Sequence, residues 1–218
     1  VRVPAHNLIS FPDSLSFEQG AAIRINYGTA LRRLFIRGRL KADETMLVLG
    51  ASGGVGIACV QYGKMIGAKV IAAAGSADKC KKLSSLGADR TVNYSEEDFS
   101  AAVWKISEKR GVDVVVNFTG GETWAPSLRT AKPGGRILTC GATAGHSPET
   151  DLRYIWVREL DILGSNSYSQ EDVEKSVSYA AEGKIIPVIS DVLPLEKTGE
   201  AEKLMEDRNF FGKIIVCP

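Results

Sequence analysis

The sequence predicts an α/β fold, a doubly wound sheet of six parallel strands with helices on both faces. Three observations carry that expectation. Short apolar runs alternate with helical patterns along most of the chain. The runs are nearly continuous in aliphatic residues, as in Val112-Asp113-Val114-Val115-Val116, because a strand covered on both faces has no solvent side to keep polar. A glycine-rich hexapeptide, Ala51-Ser52-Gly53-Gly54-Val55-Gly56, stands between the first run and a long helical pattern.

Taken in order, Ser16-x-x-Gln19 has the form of a capping box and opens a helix carrying Ala21 and Ala22. A second helix from about Thr29 carries Leu31, Leu34 and Phe35 to a turn at Gly38. The six strands are expected at Thr45 to Leu49, Lys69 to Ala74, Thr91 to Asn93, Val112 to Phe118, Arg136 to Cys140 and Asp161 to Gly164. Between the first two, Val55, Ala58, Cys59, Tyr62 and Met65 or Ile66 share a helix face that Gly67 ends, and Gly87 ends the next helix. After the sixth strand the rhythm changes. A helix from Gln170 to Glu182 is followed by an extended piece from Val188 to Leu193, a helix from Glu196 to about Arg208, and a closing strand from Lys213 to Val216.

Composition narrows the function classes. With 218 residues and 44% hydrophobic content the chain can bury a sizeable core. Its 27 basic and 26 acidic residues are interspersed and leave a formal charge of +1, so there is no basic stripe for nucleic acid. No apolar stretch reaches the ~20 residues that span a bilayer, and the N-terminus lacks a basic segment followed by an apolar core. A cytoplasmic address, with no nucleic-acid or membrane partner, is expected. Cys59, Cys80, Cys140 and Cys217 are widely spaced and have only His6 and His146 beside them, so neither a zinc cluster nor a disulfide framework is indicated.

The hexapeptide has the G-x-G-x-x-G form with Ala51 in place of the first glycine. In a strand-turn-helix setting this is the dinucleotide cradle of a Rossmann domain. Gly53 lets the backbone approach a pyrophosphate, and Gly56 lets helix and strand pack closely. The helix start, with Ser52, Gly54 and Val55 around it, offers free N–H groups and the positive end of the macrodipole. Where the second strand ends, an acidic side chain would bind the ribose hydroxyls of NAD and repel an added 2′-phosphate. Here Ala73-Ala74-Gly75-Ser76 stands instead. Unit charges ~4 Å apart interact by ~4 kcal/mol at an effective dielectric of 20, so the missing carboxylate shifts preference toward NADP(H). Lys79 is placed to attract the phosphate, or is a solvated lysine beside Lys81 and Lys82. Asp78 is the competing feature, since a small rotation of the turn presents its carboxylate to the ribose.

Further segments carry a family resemblance: Val3-Pro4-Ala5-x-Asn7-Leu8, Pro12-Asp13-x-Leu15-Ser16-Phe17-Glu18, Thr29-Ala30, Leu86-Gly87-Ala88-Asp89, Val92-Asn93-Tyr94, Gly134-Gly135-Arg136 and Gly212-Lys213-Ile214. Together with the glycine turn they make the chain resemble the medium-chain dehydrogenase/reductases, and among them the zinc-independent quinone oxidoreductase-like branch. The resemblance implies that Thr29, Asn117, Gly141 and Ala142 line the nicotinamide half of the cofactor. It implies that Gly75, Ser76, Lys79 and Tyr94 surround the adenosine 2′-phosphate. Tyr94 also reads as an aromatic plug at a strand end, and Asn117 as an ordinary cap.

The same resemblance implies a domain division: a dinucleotide-binding domain at residues 28–167, with 1–27 and 168–218 as remnants of a GroES-like barrel whose last strand would be Val1-Arg2-Val3. It implies a homodimer through the edge strand Leu160 to Ser165. Zinc-dependent members carry a cysteine ligand shortly before the position of Thr29, where Arg24-Ile25-Asn26-Tyr27 stands, so no metal is expected. No catalytic residue is assigned, and His146 reads as a loop histidine. The function expected is that of the cofactor-binding portion of an NADP(H)-dependent oxidoreductase, moving a hydride to a small-molecule quinone or carbonyl-conjugated double bond. A zinc-dependent alcohol dehydrogenase relative and a noncatalytic NADPH-binding or dimerisation module are the alternatives.

Overall fold

The structure is a computed structural model that describes residues 2–218. Six strands, β1 (Thr45–Val48), β2 (Lys69–Ala74), β3 (Arg90–Asn93), β4 (Val112–Val116), β5 (Ala131–Thr139) and β6 (Asp161–Gly164), form one parallel sheet in the order β3-β2-β1-β4-β5-β6. The order reverses between β1 and β4. At such a switch point the helices that follow the two strands leave to opposite faces and open a crevice at the carboxyl ends.

The alternation of β1 shows why the sheet is buried on both sides. Met46 and Val48 enter one core cluster with Ile23, Tyr27 and Tyr62, while Leu47 and Leu49 enter a second with Ile71, Val115 and Ile137. The covering helices are α1 (Phe17–Leu31), α2 (Gly54–Met65), α3 (Ala77–Ser85), α4 (Phe99–Ile106), α5 (Trp124–Thr130), α6 (Leu152–Val157) and α7 (Gln170–Ala181). Helix α8 (Thr198–Glu206) lies between β7 (Ile189–Pro194) and β8 (Lys213–Cys217), which pair in parallel as a separate two-stranded sheet.

Several local expectations are corrected. The two helices expected before β1 are one: α1 runs without a break into a π-helical turn at Arg32–Arg37, and the Arg32 N–H donates to the carbonyls of Gly28 and Thr29. Gly28 does not stop the helix because its bare face is a contact. A Cβ there would lie 3.0 Å from the Tyr168 ring and 3.1 Å from Val173. The expected domain division between residues 27 and 28 therefore falls inside one helix. Strand β4 ends at Val116, two residues early, because Asn117 turns its side chain into the following loop. Strand β5 begins five residues early, at Ala131, with a register irregularity opposite Val112 and Val114. Of the segment expected as a barrel strand, Val1 lies outside the described residues, and Arg2 and Val3 form no strand.

The tail is fastened to the α2 face by polar contacts. The Tyr62 hydroxyl donates to Ser176 Oγ at 2.8 Å, and that hydroxyl donates to the Asp172 carbonyl at 2.7 Å. Arg32 pairs with the Asp172 carboxylate at 2.9 Å. The Gln61 amide takes both backbone groups of Ile186, each at 2.8 Å. At its end the tail meets the glycine turn, where the Gly212 N–H donates to the Ser52 carbonyl at 3.0 Å.

Helix α2 seats directly on the turn that precedes it. A Cβ on Gly56 would lie 2.6 Å from Ala51 Cα and closer still to the Gly50 carbonyl oxygen, both backbone atoms that cannot swing aside. Gly56→Ala is therefore expected to lower stability by about 1–3 kcal/mol through overpacking, read as a lower urea midpoint. Tyr62→Phe deletes one buried neutral hydrogen bond and is expected to cost about 1 kcal/mol, with the midpoint reduced and the denaturant slope unchanged.

Candidate functional site

The site is built at the carboxyl ends of the strands. Gly50 takes φ +63° and turns the chain sharply out of β1. Gly53 then caps α2 in an extended conformation with no side-chain bond to the helix. Among the described residues, the N–H groups of Gly54, Val55 and Gly56 meet no acceptor, the condition that makes a helix start an anion site. The three glycines differ in what surrounds them. A Cβ on Gly54 would strike the Asn26 amide at 2.7 Å, and Gly56 is closed in by backbone. At Gly53 the nearest atom would be the Gly50 oxygen at 3.7 Å, so its outer side is open for a ligand.

At the other end of the crevice, β2 runs into Gly75 and Ser76. Ser76 caps α3, its hydroxyl accepting from the Lys79 N–H at 3.3 Å. The Tyr94 ring lies against Gly75, with 3.1 Å left for a Cβ there. An open cleft of about 740 Å³ is lined by Gly75, Ser76, Lys79, Tyr94, Arg208 and Phe210, with others. Lys79 Nζ donates to the Arg208 carbonyl at 2.6 Å and sits 5.7 Å from the Phe210 ring centroid. Burial, then the neighbouring charges of Arg208 and Lys82, holds the Lys79 ammonium below its usual pKa, while burial raises the Tyr94 phenol. The Asp78 carboxylate pairs with Lys82 one helical turn on, at 2.9 Å.

Sequence reasoning missed Arg208. It stands 129 residues beyond Lys79, so only the folding of the tail brings the two together. Its one local mark is a left-handed backbone, φ +54°, at a residue other than glycine.

The four residues assigned to the nicotinamide half differ in exposure. Thr29 is buried on α1, whereas Gly141 and Ala142 are exposed at the rim after β5. The Asn117 side chain is wholly engaged inside the protein. Its Oδ1 accepts from the N–H groups of Thr119 and Gly120, both at 2.9 Å, and its Nδ2 donates to Thr123 and Ser127 at 3.1 and 2.9 Å. It anchors the loop after β4. The next residue, Phe118, faces Gly50, where a Cβ would lie 3.2 Å from the ring. Behind that ring is Arg33, fully buried and also missed by sequence reasoning. His146 is exposed.

Among the described residues no three His, Cys, Asp or Glu side chains converge as a metal would require, and no helix is long and apolar enough to cross a membrane.

Comparisons with known proteins bear on the same region. The family model described as zinc-binding dehydrogenase matches residues 54–182. A quinone oxidoreductase-like protein 2 from Bos taurus is 31% identical over 96% of this chain, which spans 63% of that relative's length. A solved NAD-dependent alcohol dehydrogenase superposes with TM-score 0.94 and 36% identity, over 99% of this chain and 63% of that one. The structure of the 2-octenoyl-CoA carboxylase reductase CinF, in complex with NADP and 2-octenoyl-CoA, superposes with TM-score 0.89 and 28% identity, over 95% of this chain and 51% of that one. With the cradle, the strand order and these matches in agreement, the chain belongs to the zinc-binding dehydrogenases, within the medium-chain dehydrogenase/reductase family.

Proposed function

We propose that this chain is the cofactor-binding part of a cytoplasmic NADP(H)-dependent oxidoreductase that reduces a quinone or a carbonyl-conjugated double bond. The observation that carries the cofactor reading is the placement of Lys79 and Arg208 beside Tyr94 in one cleft, with the Asp78 carboxylate paired to Lys82. Asp78, Asp191 and Asp207 also line this cleft, but Asp78 is engaged by Lys82, and the two cations beside Tyr94 suit a phosphate on the ribose better than a bare diol. The acceptor class is supported by the relatives, one a quinone oxidoreductase-like protein and one a reductase holding NADP and an enoyl thioester.

When bound, the cofactor supplies the hydride, and the chain's residues bind and orient it. The N–H groups of Gly54, Val55 and Gly56 hold the pyrophosphate at the positive end of α2. Gly53 leaves room for its approach. Lys79 and Arg208 hold the 2′-phosphate, Ser76 and Gly75 shape the turn beneath it, and Tyr94 closes its side. Asn117 acts at one remove, fixing the loop that carries Phe118. Strand β6 is the sheet's edge, and its unpaired outer side suits pairing with a second copy into a homodimer.

Titration under identical salt is expected to give NADPH at least about tenfold tighter binding than NADH, a difference of about 1.4 kcal/mol. Equal affinities overturn the 2′-phosphate assignment. Lys79→Ala and Arg208→Ala are each expected to weaken NADPH by about tenfold while leaving NADH within about twofold, since only the former presents the phosphate. Parallel losses would make both residues structural. Sedimentation equilibrium is expected to give twice the 23.5 kDa chain mass, and a monomer would remove the dimer.

A further inference from the structure

Arg33 is an arginine with nothing to bind. Its relative exposure is 0%, and among the described residues none of Nε, Nη1 and Nη2 has a hydrogen-bond partner. The guanidinium carbon lies 5.1 Å from the Phe118 ring centroid, a contact that attracts a cation without neutralising it. Three arginines near it in sequence have partners. Arg32 pairs with Asp172, Arg37 donates to the Gly164 carbonyl at 2.8 Å, and Arg39 pairs with Asp161. The Cys59 thiol, whose charge would act on Arg33, is pushed by burial up to a pKa of about 11 and is uncharged near neutrality. Burial lowers the pKa of Arg33 as well, but guanidinium starts high enough to keep its proton. A buried, unpaired charge costs several kcal/mol.

The position of this charge gives it a use. The Gly38 N–H reaches back five residues to the Arg33 carbonyl at 2.7 Å, a π-type turn of a kind often found at functional sites. Arg33 stands one helical turn beyond Thr29, and Phe118 follows the carboxyl end of β4. The Phe118 ring adjoins Gly50, and its carbonyl oxygen would be 3.4 Å from a Cβ on Gly141. The cation thus lies behind one aromatic ring at the switch point between β1 and β4, the crevice where an open α/β sheet binds its ligand.

A nicotinamide ring is neutral when reduced and carries one positive charge when oxidised. At an effective dielectric of 20, two unit charges about 10 Å apart shift an equilibrium roughly tenfold. We propose that Arg33 sets the redox-state preference of this site, its uncompensated charge disfavouring the oxidised cofactor and so favouring capture of the reduced form and release of the spent one. The inference rests on the reading that the cradle binds a nicotinamide dinucleotide. It does not depend on the 2′-phosphate.

The experiment is a set of four dissociation constants, for NADPH, NADP⁺, NADH and NAD⁺, measured on the unaltered chain, Arg33→Met and Arg33→Lys. Arg33→Met is expected to tighten the oxidised forms relative to the reduced ones by roughly tenfold, equally in the phosphorylated and unphosphorylated pairs. Arg33→Lys keeps the charge and is expected to leave the ratio in place. The ratio is expected to persist in high salt, because buried charges are poorly screened. If Arg33→Met does not fold, Arg33→Gln makes the same comparison. An unchanged ratio, or one that moves in a single pair, overturns the role of Arg33 while leaving the dinucleotide reading intact. Failure of the unaltered chain to bind any of the four overturns both.

Discussion

The contact on which the rest of the molecule depends is the seating of α2 against the turn that leads into it. Gly56 brings the helix so close to Gly50 and Ala51 that no side chain fits between them. Because the helix cannot stand off, its first N–H groups are held at the carboxyl end of the central strand instead of being spread over the surface. The same closeness fixes the face α2 presents to α1. Ala58, Cys59 and Tyr62 join Ile23 and Tyr27 in one core cluster. Tyr62 then reaches the tail through Ser176. One close approach of backbone to backbone therefore fixes a binding geometry, a core and a docking site.

The parts of this arrangement that were legible in the sequence are those with a local cause. β2 begins and ends where its apolar run does, because a strand buried on both faces is bounded by the first residues that need water. The capping box at Ser16 and Gln19 forms as written. Gly28 shows the limit. It has the composition of a helix stop, yet it is there so that Tyr168 and Val173 can lie against α1, a cause more than a hundred residues away. Asn117 is similar: an amide at a strand end can face a ligand or a loop, and the loop's donors and acceptors decide. The site divides along the same line. The glycine cradle and Lys79 are contiguous with β1 and α3, while Arg208 reaches the cleft only when α8 and β8 have folded onto the glycine turn.

The two sets of positive charge in the crevice obey different physics. Lys79 and Arg208 face an open cleft, so the attraction for a phosphate proposed for them would be partly screened and act as a preference between two ligands of different charge. Arg33 is fully buried and meets no counter-charge among the described residues, so its field is weakly screened and reaches whatever occupies the crevice. A surface pair can be tuned by ionic strength; a buried cation cannot.

That contrast explains how a fold tolerates so costly a group. Burying guanidinium without a partner opposes folding, and an apolar side chain of similar length would fill the same space beneath Phe118. Core residues chosen for stability alone would therefore replace Arg33. Its neighbours do not rescue it: Arg32, one residue away, has the carboxylate of Asp172, and the Cys59 thiol stays protonated. Strain kept at the mouth of a ligand crevice, in a π-type turn, follows the pattern by which sites hold destabilising features that act on a bound molecule. On the proposed reading the cradle decides that a dinucleotide is held, and the charge behind Phe118 would act on which of its oxidation states is held more tightly.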